Sequence, residues 1–204
     1  MRFQRILGGA ALLGASLLPL TAATSQTEKD QQAMKDEMMK KWMEVSTPGD
    51  NHQKLDDLVG TWETTVSMWP EGPGKPPQVT KGVAEMKWIL GGRFIQEEMK
   101  GEMMGMPYNG LGLMGYDNFN KKYTFVWVDN SSTQMSTSEG TVDPTAKVLT
   151  YYGKMDEPMT GEHGKTVKYV THILSKDKNT FEIHDLSMPE PNTKMMEIVY
   201  TRKK

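Results

Sequence analysis

About ten short runs of β-forming residues make up most of this chain, and turn-forming residues separate one run from the next. Polar and apolar positions alternate within several runs, as in half-buried strands. In the segment 122–130, for example, Tyr123, Phe125 and Trp127 share one face. No helical pattern lies between the runs, and their links have hairpin length. We therefore predict an all-β antiparallel up-and-down barrel, since closure removes exposed strand edges. A flat sandwich is the weaker alternative.

The first residues have the features of a secretory signal peptide. Arg2 and Arg5 supply a basic start, an apolar stretch covers 6–20, and small residues follow at 21–23. A membrane anchor is the alternative, but this stretch is shorter than the roughly 20 residues that span a bilayer. We predict that 1–23 are removed on export, and that the mature protein is periplasmic or extracellular and has no membrane span.

The segment 24–50 differs from the strands that follow and is predicted to be a helical extension. Its apolar residues recur three or four positions apart, on one helical face: Met34, Met38, Trp42 and Val45. The Pro- and Gly-containing segment 46–50 ends the helix. Two interpretations stay open, a helix that docks on a partner and a helix that packs on its own domain. The barrel domain is predicted to cover 51–204.

Composition excludes several classes of protein. The net charge is −2, so loss of Arg2 and Arg5 would bring it to about −4, and the segment 202–204 is the main basic run. Such a chain has no electrostatic footprint for nucleic acid. Cysteine is absent, which excludes disulfides and thiolate catalysis. We predict no cofactor, and a homodimer stays an open alternative.

The segment "HQKLDDLVGTWETTV" resembles the opening of lipocalin-type (calycin) barrels. A short amphipathic helix over His52–Leu58 leads into Gly60 and Trp62, a G-x-W pattern at the start of the first strand. The resemblance implies that Trp62 packs across the closed end of the barrel beneath an arginine of the last strand. Arg202 occupies that position here.

A second resemblance covers nearly all of 51–204. The chain is similar to the bacterial secreted family called domain of unknown function 1579 (DUF1579) in several separate segments: "HQKLDDLVGTWE", "ILGGRFIQEEMKG", "GLGLMGYDNFNKKYTFVWVDN" and "STSEG". This resemblance implies a calycin-like barrel. It implies no established activity and no catalytic residues.

Familiar catalytic and nucleotide-binding motifs are missing from the sequence. It contains no G-x-S-x-G, no P-loop and no His-Glu-x-x-His. The segment 110–115, "GLGLMG", has the glycine spacing of a dinucleotide-binding turn, but a turn and not a helix follows it. Glycines in a strongly coiled strand explain this segment better.

Six residues are candidates for the wall of a ligand cavity: Arg93, Glu97, Glu98, Tyr116, Trp127 and Tyr151. Adjacent strand residues point to opposite faces, so only one of Glu97 and Glu98 can enter the barrel. That carboxylate would anchor a polar group of the ligand, although an ordinary solvated charge is the commoner outcome. The aromatic residues are more often ordinary core.

Two sets of residues are candidates for a metal site. If residues 177–179 form a three-residue hairpin loop with Asn179 left-handed, His172 faces His184 across neighbouring strands and the pair could bind Zn²⁺ or Cu²⁺. Otherwise, both histidines are ordinary outward-facing polar residues.

Methionine is unusually frequent, with 18 in the chain, and three lie close together: Met103, Met104 and Met106. Thioethers favour Cu(I), but they also adapt to irregular apolar surfaces, which is the commoner role. We expect a strand to end at Met103, a rim loop over 104–109, and the next strand over 110–117.

We predict non-catalytic binding of a small apolar or amphipathic ligand in the barrel, because a barrel of this size can enclose one. Metal handling through the methionines or the histidine pair is the first alternative. An enzyme acting on a small hydrophobic substrate, with Glu97 or Glu98 as acid or base, has the least support in the sequence.

Overall fold

The computed structural model describes residues 20–204 except 73, 190 and 192, with side chains described from residue 27 onward. Most of the predicted signal peptide, 1–19, therefore lies outside the described residues. Export with removal of 1–23 therefore stays a prediction. The chain divides into two compact units after Met43, and the second unit is Glu44–Lys204.

The first helix, α1, covers Leu20–Ser46, and this confirms the predicted helical extension. It ends before Pro48, which cannot continue a helix hydrogen-bonding pattern. Met34, Met38 and Trp42, which share one helical face, are exposed. Among residues 20–72, 74–189, 191 and 193–204, no helix has the length and apolar character needed to cross a bilayer.

Ten antiparallel strands form a closed barrel, which confirms the predicted fold and excludes the flat sandwich. Each strand pairs with the next one along the chain, and the first pairs with the last. The strands are β1 (Gly60–Met68), β2 (Gln78–Ile89), β3 (Phe94–Met103), β4 (Met106–Asp117), β5 (Lys122–Asp129), β6 (Ser136–Val142), β7 (Val148–Glu157), β8 (Glu162–Ser175), β9 (Lys178–Asp185) and β10 (Lys194–Arg202).

Strand alternation separates the inside of the barrel from its surface. In β5, Tyr123 and Phe125 are buried and Trp127 is half-buried on the inner face, as predicted. In β4, Met114 faces inward, whereas Leu111 and Leu113 are partly exposed on the outer face. The core is therefore the inside of the barrel.

One end of the barrel is covered by the residues that precede β1. A short helix, α2 (Asp50–Gln53), and a 3-10 turn at Asp56–Leu58 replace the single helix predicted over His52–Leu58. Leu55 and Leu58 are fully buried there. The Tyr123 hydroxyl donates a hydrogen bond of 2.8 Å to the Asn51 carbonyl and ties this cover to β5. We call this region the closed end.

The loop predicted over 104–109 is wrong in length. Met103 pairs with Met106, so only Met104 and Gly105 form the turn, and both have positive φ. Positive φ at both central residues is what a two-residue type I′ hairpin turn requires. Pro107 misled the prediction, because proline is tolerated near the beginning of a strand.

The predicted register of the β8–β9 hairpin is also wrong. Ser175 pairs with Lys178, which leaves a two-residue loop, and His172 lies opposite Thr180, not His184. Asn179 is not left-handed, because it belongs to β9 and is buried on the inner face of the barrel. An irregularity between Ile173 and Ser175 shifts the register further.

Candidate ligand-binding cavity

The closed end is held by Trp62 and Arg202, which are direct cross-strand partners. The Arg202 guanidinium lies 4.1 Å from the centre of the Trp62 ring, within reach of a cation–π interaction. It donates hydrogen bonds to the carbonyls of Val59, at 2.8 Å, and Asp57, at 3.0 Å. The Trp62 indole donates to the Leu58 carbonyl at 2.9 Å. The structure thus has the tryptophan and arginine arrangement that the calycin resemblance implies.

Gly60 is the third member of this arrangement. Its φ is +145°, and a Cβ atom there would lie 2.0 Å from Nη1 of Arg202. Only glycine can bring the backbone this close to the guanidinium. The G-x-W pattern therefore has a steric cause in this chain.

Above the closed end, the barrel contains a cavity of about 270 Å³. We call it the cavity. Seven methionines contribute to its wall: Met68, Met86, Met99, Met103, Met114, Met155 and Met196. Aromatic rings make up much of the remainder: Tyr108, Phe125, Trp127, Tyr151, Tyr169, Phe181 and Tyr200. The wall is consequently mostly apolar.

Two glycines of β4 make room for the Trp127 ring. A Cβ at Gly110 would lie 2.1 Å from this indole, and one at Gly112 would lie 3.0 Å from it. Gly112 is also the direct cross-strand partner of Trp127. Sequence reasoning explained these glycines by strand coiling and missed their steric role. Their two-residue spacing on the inner face, beside an aromatic strand, is the signal that could have shown it.

A hydrogen-bonded group of polar side chains lies beside Trp127. The Trp127 indole donates to Oδ2 of Asp129 at 3.1 Å, and the Tyr108 hydroxyl donates to the same oxygen at 3.2 Å. Partial burial raises the pKa of the Asp129 carboxyl, but hydrogen bonds from Ser131, Trp127 and Tyr108 outweigh it and leave the pKa below its usual value. Asp129 is thus a carboxylate at neutral pH.

Glu97 is the most perturbed acid of the cavity wall. Only 3% of the residue is exposed, and its Oε1 accepts a hydrogen bond of 3.0 Å from the Tyr200 hydroxyl. Burial raises the pKa of the Glu97 carboxyl to about 7, although the bond from Tyr200 works in the opposite direction. Near neutral pH, this group is therefore divided between its neutral and charged forms.

Two other polar side chains of the wall lack hydrogen-bond partners among the described residues. They are Oγ of Ser138 and Nδ2 of Asn179, and both residues are buried. Asn179 lies next to Tyr200 in the β9–β10 ladder, so it neighbours the Glu97–Tyr200 pair. An unpaired buried polar group is costly, so these atoms are candidates for ligand contacts. Sequence reasoning missed both residues, although polar residues at inward positions could have shown them.

Three of the six cavity candidates line the wall, namely Glu97, Trp127 and Tyr151. The other three lie elsewhere. Glu98 points outward and accepts a hydrogen bond from Gln96.

Arg93 and Tyr116 are the remaining candidates outside the cavity. Arg93 is exposed at a turn, where it donates to the Leu90 carbonyl. Tyr116 belongs to the closed end, with its ring 4.9 Å from that of Tyr123 and 5.9 Å from that of His52. The sequence could not show that Arg93, which follows the turn at Gly91 and Gly92, lies outside the cavity wall.

The two predicted metal-binding histidines lie on outward positions of β8 and β9. Nε2 of His184 is 3.0 Å from Oε2 of Glu182, and Nε2 of His172 is 3.9 Å from the same oxygen. Nζ of Lys194 lies 3.1 Å from Oε1 of Glu182, so this carboxylate already has a positively charged partner. In the part of the chain that the structure describes, no group of three or more His, Cys, Asp or Glu residues is placed to hold a metal ion.

The three predicted metal-binding methionines are at the tip of the β3–β4 hairpin. Met103 contributes to the cavity wall, and its cross-strand partner Met106 is exposed. Met104 is exposed in the turn itself. A copper site at this tip stays a prediction.

Comparisons with known proteins give a family and a solved structure with a similar fold. The family described as "Protein of unknown function (DUF1579)" matches residues 47–202, which confirms the resemblance seen in the sequence. No curated protein matches the chain. The crystal structure of Rv2717c from M. tuberculosis is similar, with a TM-score of 0.55 and 14% identity over 78% of this chain and 100% of that one. A redesigned β-barrel, b11L5F_LGL, has a TM-score of 0.40 and 12% identity over 78% of this chain and 100% of that one.

Proposed function

We propose that this chain, which belongs to the DUF1579 family, binds a small apolar or amphipathic molecule in its barrel without changing it chemically. One observation carries the proposal: the barrel interior retains a cavity of about 270 Å³. Protein interiors are normally close-packed, and empty volume lowers stability. Ligand pockets occupy roughly 300 to 1,000 Å³, so this cavity suits a compact ligand.

The methionines of the wall support the same proposal. Methionine is unbranched and flexible, and its thioether is polarizable, so methionine surfaces can repack around different ligands. Seven methionines line the cavity. We infer that the site accepts a class of related small molecules instead of one rigid shape.

A second candidate function, catalysis, is favoured by Glu97 alone. A carboxyl with a pKa of about 7 is well suited to transfer protons near neutral pH. The described cavity wall contains no histidine to act with it. Binding without reaction is therefore the better-supported function, and the mass of a bound ligand distinguishes the two.

We further propose that the protein acts after export, in the periplasm or outside the cell. The basic and apolar start of the sequence supports this. N-terminal sequencing of protein from its native source is expected to begin near Thr24. A mature chain that keeps Met1 would contradict export with cleavage.

Native mass spectrometry of gently purified protein tests ligand binding. We expect a retained small molecule that has the same mass before and after incubation, and binding of 1-octanol in a calorimetric titration. Ser138→Leu adds a larger side chain to the cavity wall and should weaken both. Thr137→Leu, one residue away on the outer face, is the matched control.

Two results would overturn this proposal. One is a barrel that neither retains a ligand nor binds octanol. The other is octanol binding that Ser138→Leu leaves unchanged, because the ligand would then occupy another site. A retained molecule whose mass changes during incubation would favour catalysis.

A further inference from the structure

We propose that the cavity selects a cationic head group, so that its preferred ligand is a small hydrophobic amine in its protonated form. This inference rests on the proposed binding function and adds the chemical class of the ligand. It concerns the described cavity wall, where two acids, Glu97 and Asp129, point inward and the basic side chain of Lys81 does not.

The charges of the wall have one sign on the inside. Glu97 and Asp129 occupy inward positions of β3 and β5. Lys81 and Glu102 also contribute to the wall, but they occupy exposed outward positions. Within the described wall, no lysine, arginine or histidine side chain stands at an inward position. An anionic ligand would therefore meet carboxyl groups with no cation to offset them.

Low polarity makes this charge pattern selective. Charges interact more strongly in an apolar interior than in water, so a carboxylate ligand would be repelled and an ammonium group attracted. An isolated buried charge is costly, and the Glu97 carboxylate would offset the desolvation of the ammonium. The aromatic faces of Phe125, Trp127 and Tyr151 add favourable contacts for a cation.

Two unpaired polar groups of the wall supply further hydrogen-bonding capacity for a head group. An ammonium group has three hydrogen-bond donors and needs acceptors. Glu97 supplies a carboxylate oxygen, and Oγ of buried Ser138 has a lone pair that no described residue uses. The Asn179 amide lies beside Tyr200, the partner of Glu97, and a flip of this amide would present its oxygen.

Binding should depend on pH through Glu97. The titratable groups that interact with it are Tyr200 of β10 and Tyr108 of β4, and Tyr108 in turn contacts Asp129 of β5. Its cross-strand neighbours, Met86 and Gly112, carry no charge. The amine needs Glu97 ionised, and the Glu97 pKa is about 7 in the free protein. Amine affinity should therefore fall about tenfold between roughly pH 8 and pH 6.

The test compares three ligands with the same carbon chain: octylamine, 1-octanol and octanoate. Each is titrated by calorimetry into the full chain, at about pH 8 and pH 6. We expect the amine to bind about tenfold more tightly than the alcohol at the higher pH, and octanoate to bind most weakly. Glu97→Gln should weaken the amine preference, because the Asp129 carboxylate then remains as the inward charge of the wall. It should also remove the pH dependence and leave octanol binding in place.

Glu98→Gln is the matched control, because Glu98 is the adjacent carboxylate on the outer face. It should change none of the affinities. Tyr200→Phe removes the hydroxyl that donates to Glu97, so it should raise the Glu97 pKa and move the midpoint of amine binding to higher pH. This second variant keeps the proposal testable if Glu97→Gln does not fold.

The outcomes separate the inference from the proposed function. If octanol binds and the amine binds no more tightly, the cationic preference is overturned while ligand binding stands. The same holds if Glu97→Gln and Tyr200→Phe leave amine binding unchanged. If none of the three ligands binds and the purified protein retains no molecule, both proposals fail.

Discussion

The closed end and the cavity are built from the same strands, but buried polar groups are hydrogen-bonded at the closed end and partly unpaired in the cavity. At the closed end, Trp62 is fully buried, and it and Arg202 donate hydrogen bonds to carbonyls of the segment before β1. In the cavity, Glu97 is buried with a raised pKa, and Ser138 and Asn179 have unpaired atoms.

This difference separates structure from function within one barrel. Satisfied, close-packed groups stabilise a fold, whereas buried groups with perturbed pKa values concentrate at functional sites and lower stability. Substitutions at the closed end should therefore destabilise the fold, whereas some substitutions in the cavity wall should stabilise it. Three substitutions test this, in order of expected effect.

Trp62→Ala should have the largest effect, a loss of about 3 to 5 kcal/mol in the free energy of unfolding, because it empties a fully packed site. Trp127→Ala is the comparison, since one side of this ring already borders the cavity. We expect it to lose roughly half as much. Urea denaturation of the two variants measures both values. Equal losses would show that the cavity wall is packed as tightly as the closed end.

Glu97→Gln should stabilise the fold at alkaline pH. The folded carboxyl keeps its proton to about pH 7, against an ordinary pKa of 4.5, so the folded state binds more protons between these values. Wild-type stability should then fall by roughly 3 kcal/mol as the pH rises through that window, and stay constant above it. The variant lacks this loss and should be more stable near pH 8 but not near pH 4. Thermal unfolding across this range checks it, and parallel pH profiles would contradict it.

Ser138→Ala should have the smallest effect, a gain of up to about 1 kcal/mol, because it removes a buried hydroxyl with no partner. Ser67→Ala, at an outward position of β1, serves as the control and should be close to neutral. Chemical denaturation with and without octanol measures both. A clear loss of stability for Ser138→Ala would show that its hydroxyl is satisfied in solution.

The strands were predictable because period-two alternation and turn residues are local signals. Tyr123, Phe125 and Trp127 could be placed on one face from the sequence alone. The closure of the barrel was predicted because it removes exposed strand edges, and the calycin resemblance implied the same. In the structure, Gly60, Trp62 and Arg202 meet as that resemblance implied.

Registers were less predictable, because a change of one loop residue turns side chains to the other face. The sequence predicted Asn179 as a turn residue, but it belongs to β9 and its side chain is buried inside the barrel. This moved His172 away from His184. For the same reason, the sequence could narrow the inward acid to Glu97 or Glu98 without choosing between them.

The pairing of β1 with β10 has a consequence for the order of folding. Every other ladder of the barrel joins consecutive strands, but Arg202 reaches Val59 across 143 residues of sequence. Contacts between distant parts of a chain form slowly, because a long loop must be ordered first. Until β10 is available, β1 has an unpaired edge that can join another molecule. We therefore expect docking of Arg202 over Trp62 to be a late folding step, and a chain that has not reached it to be prone to aggregation and proteolysis.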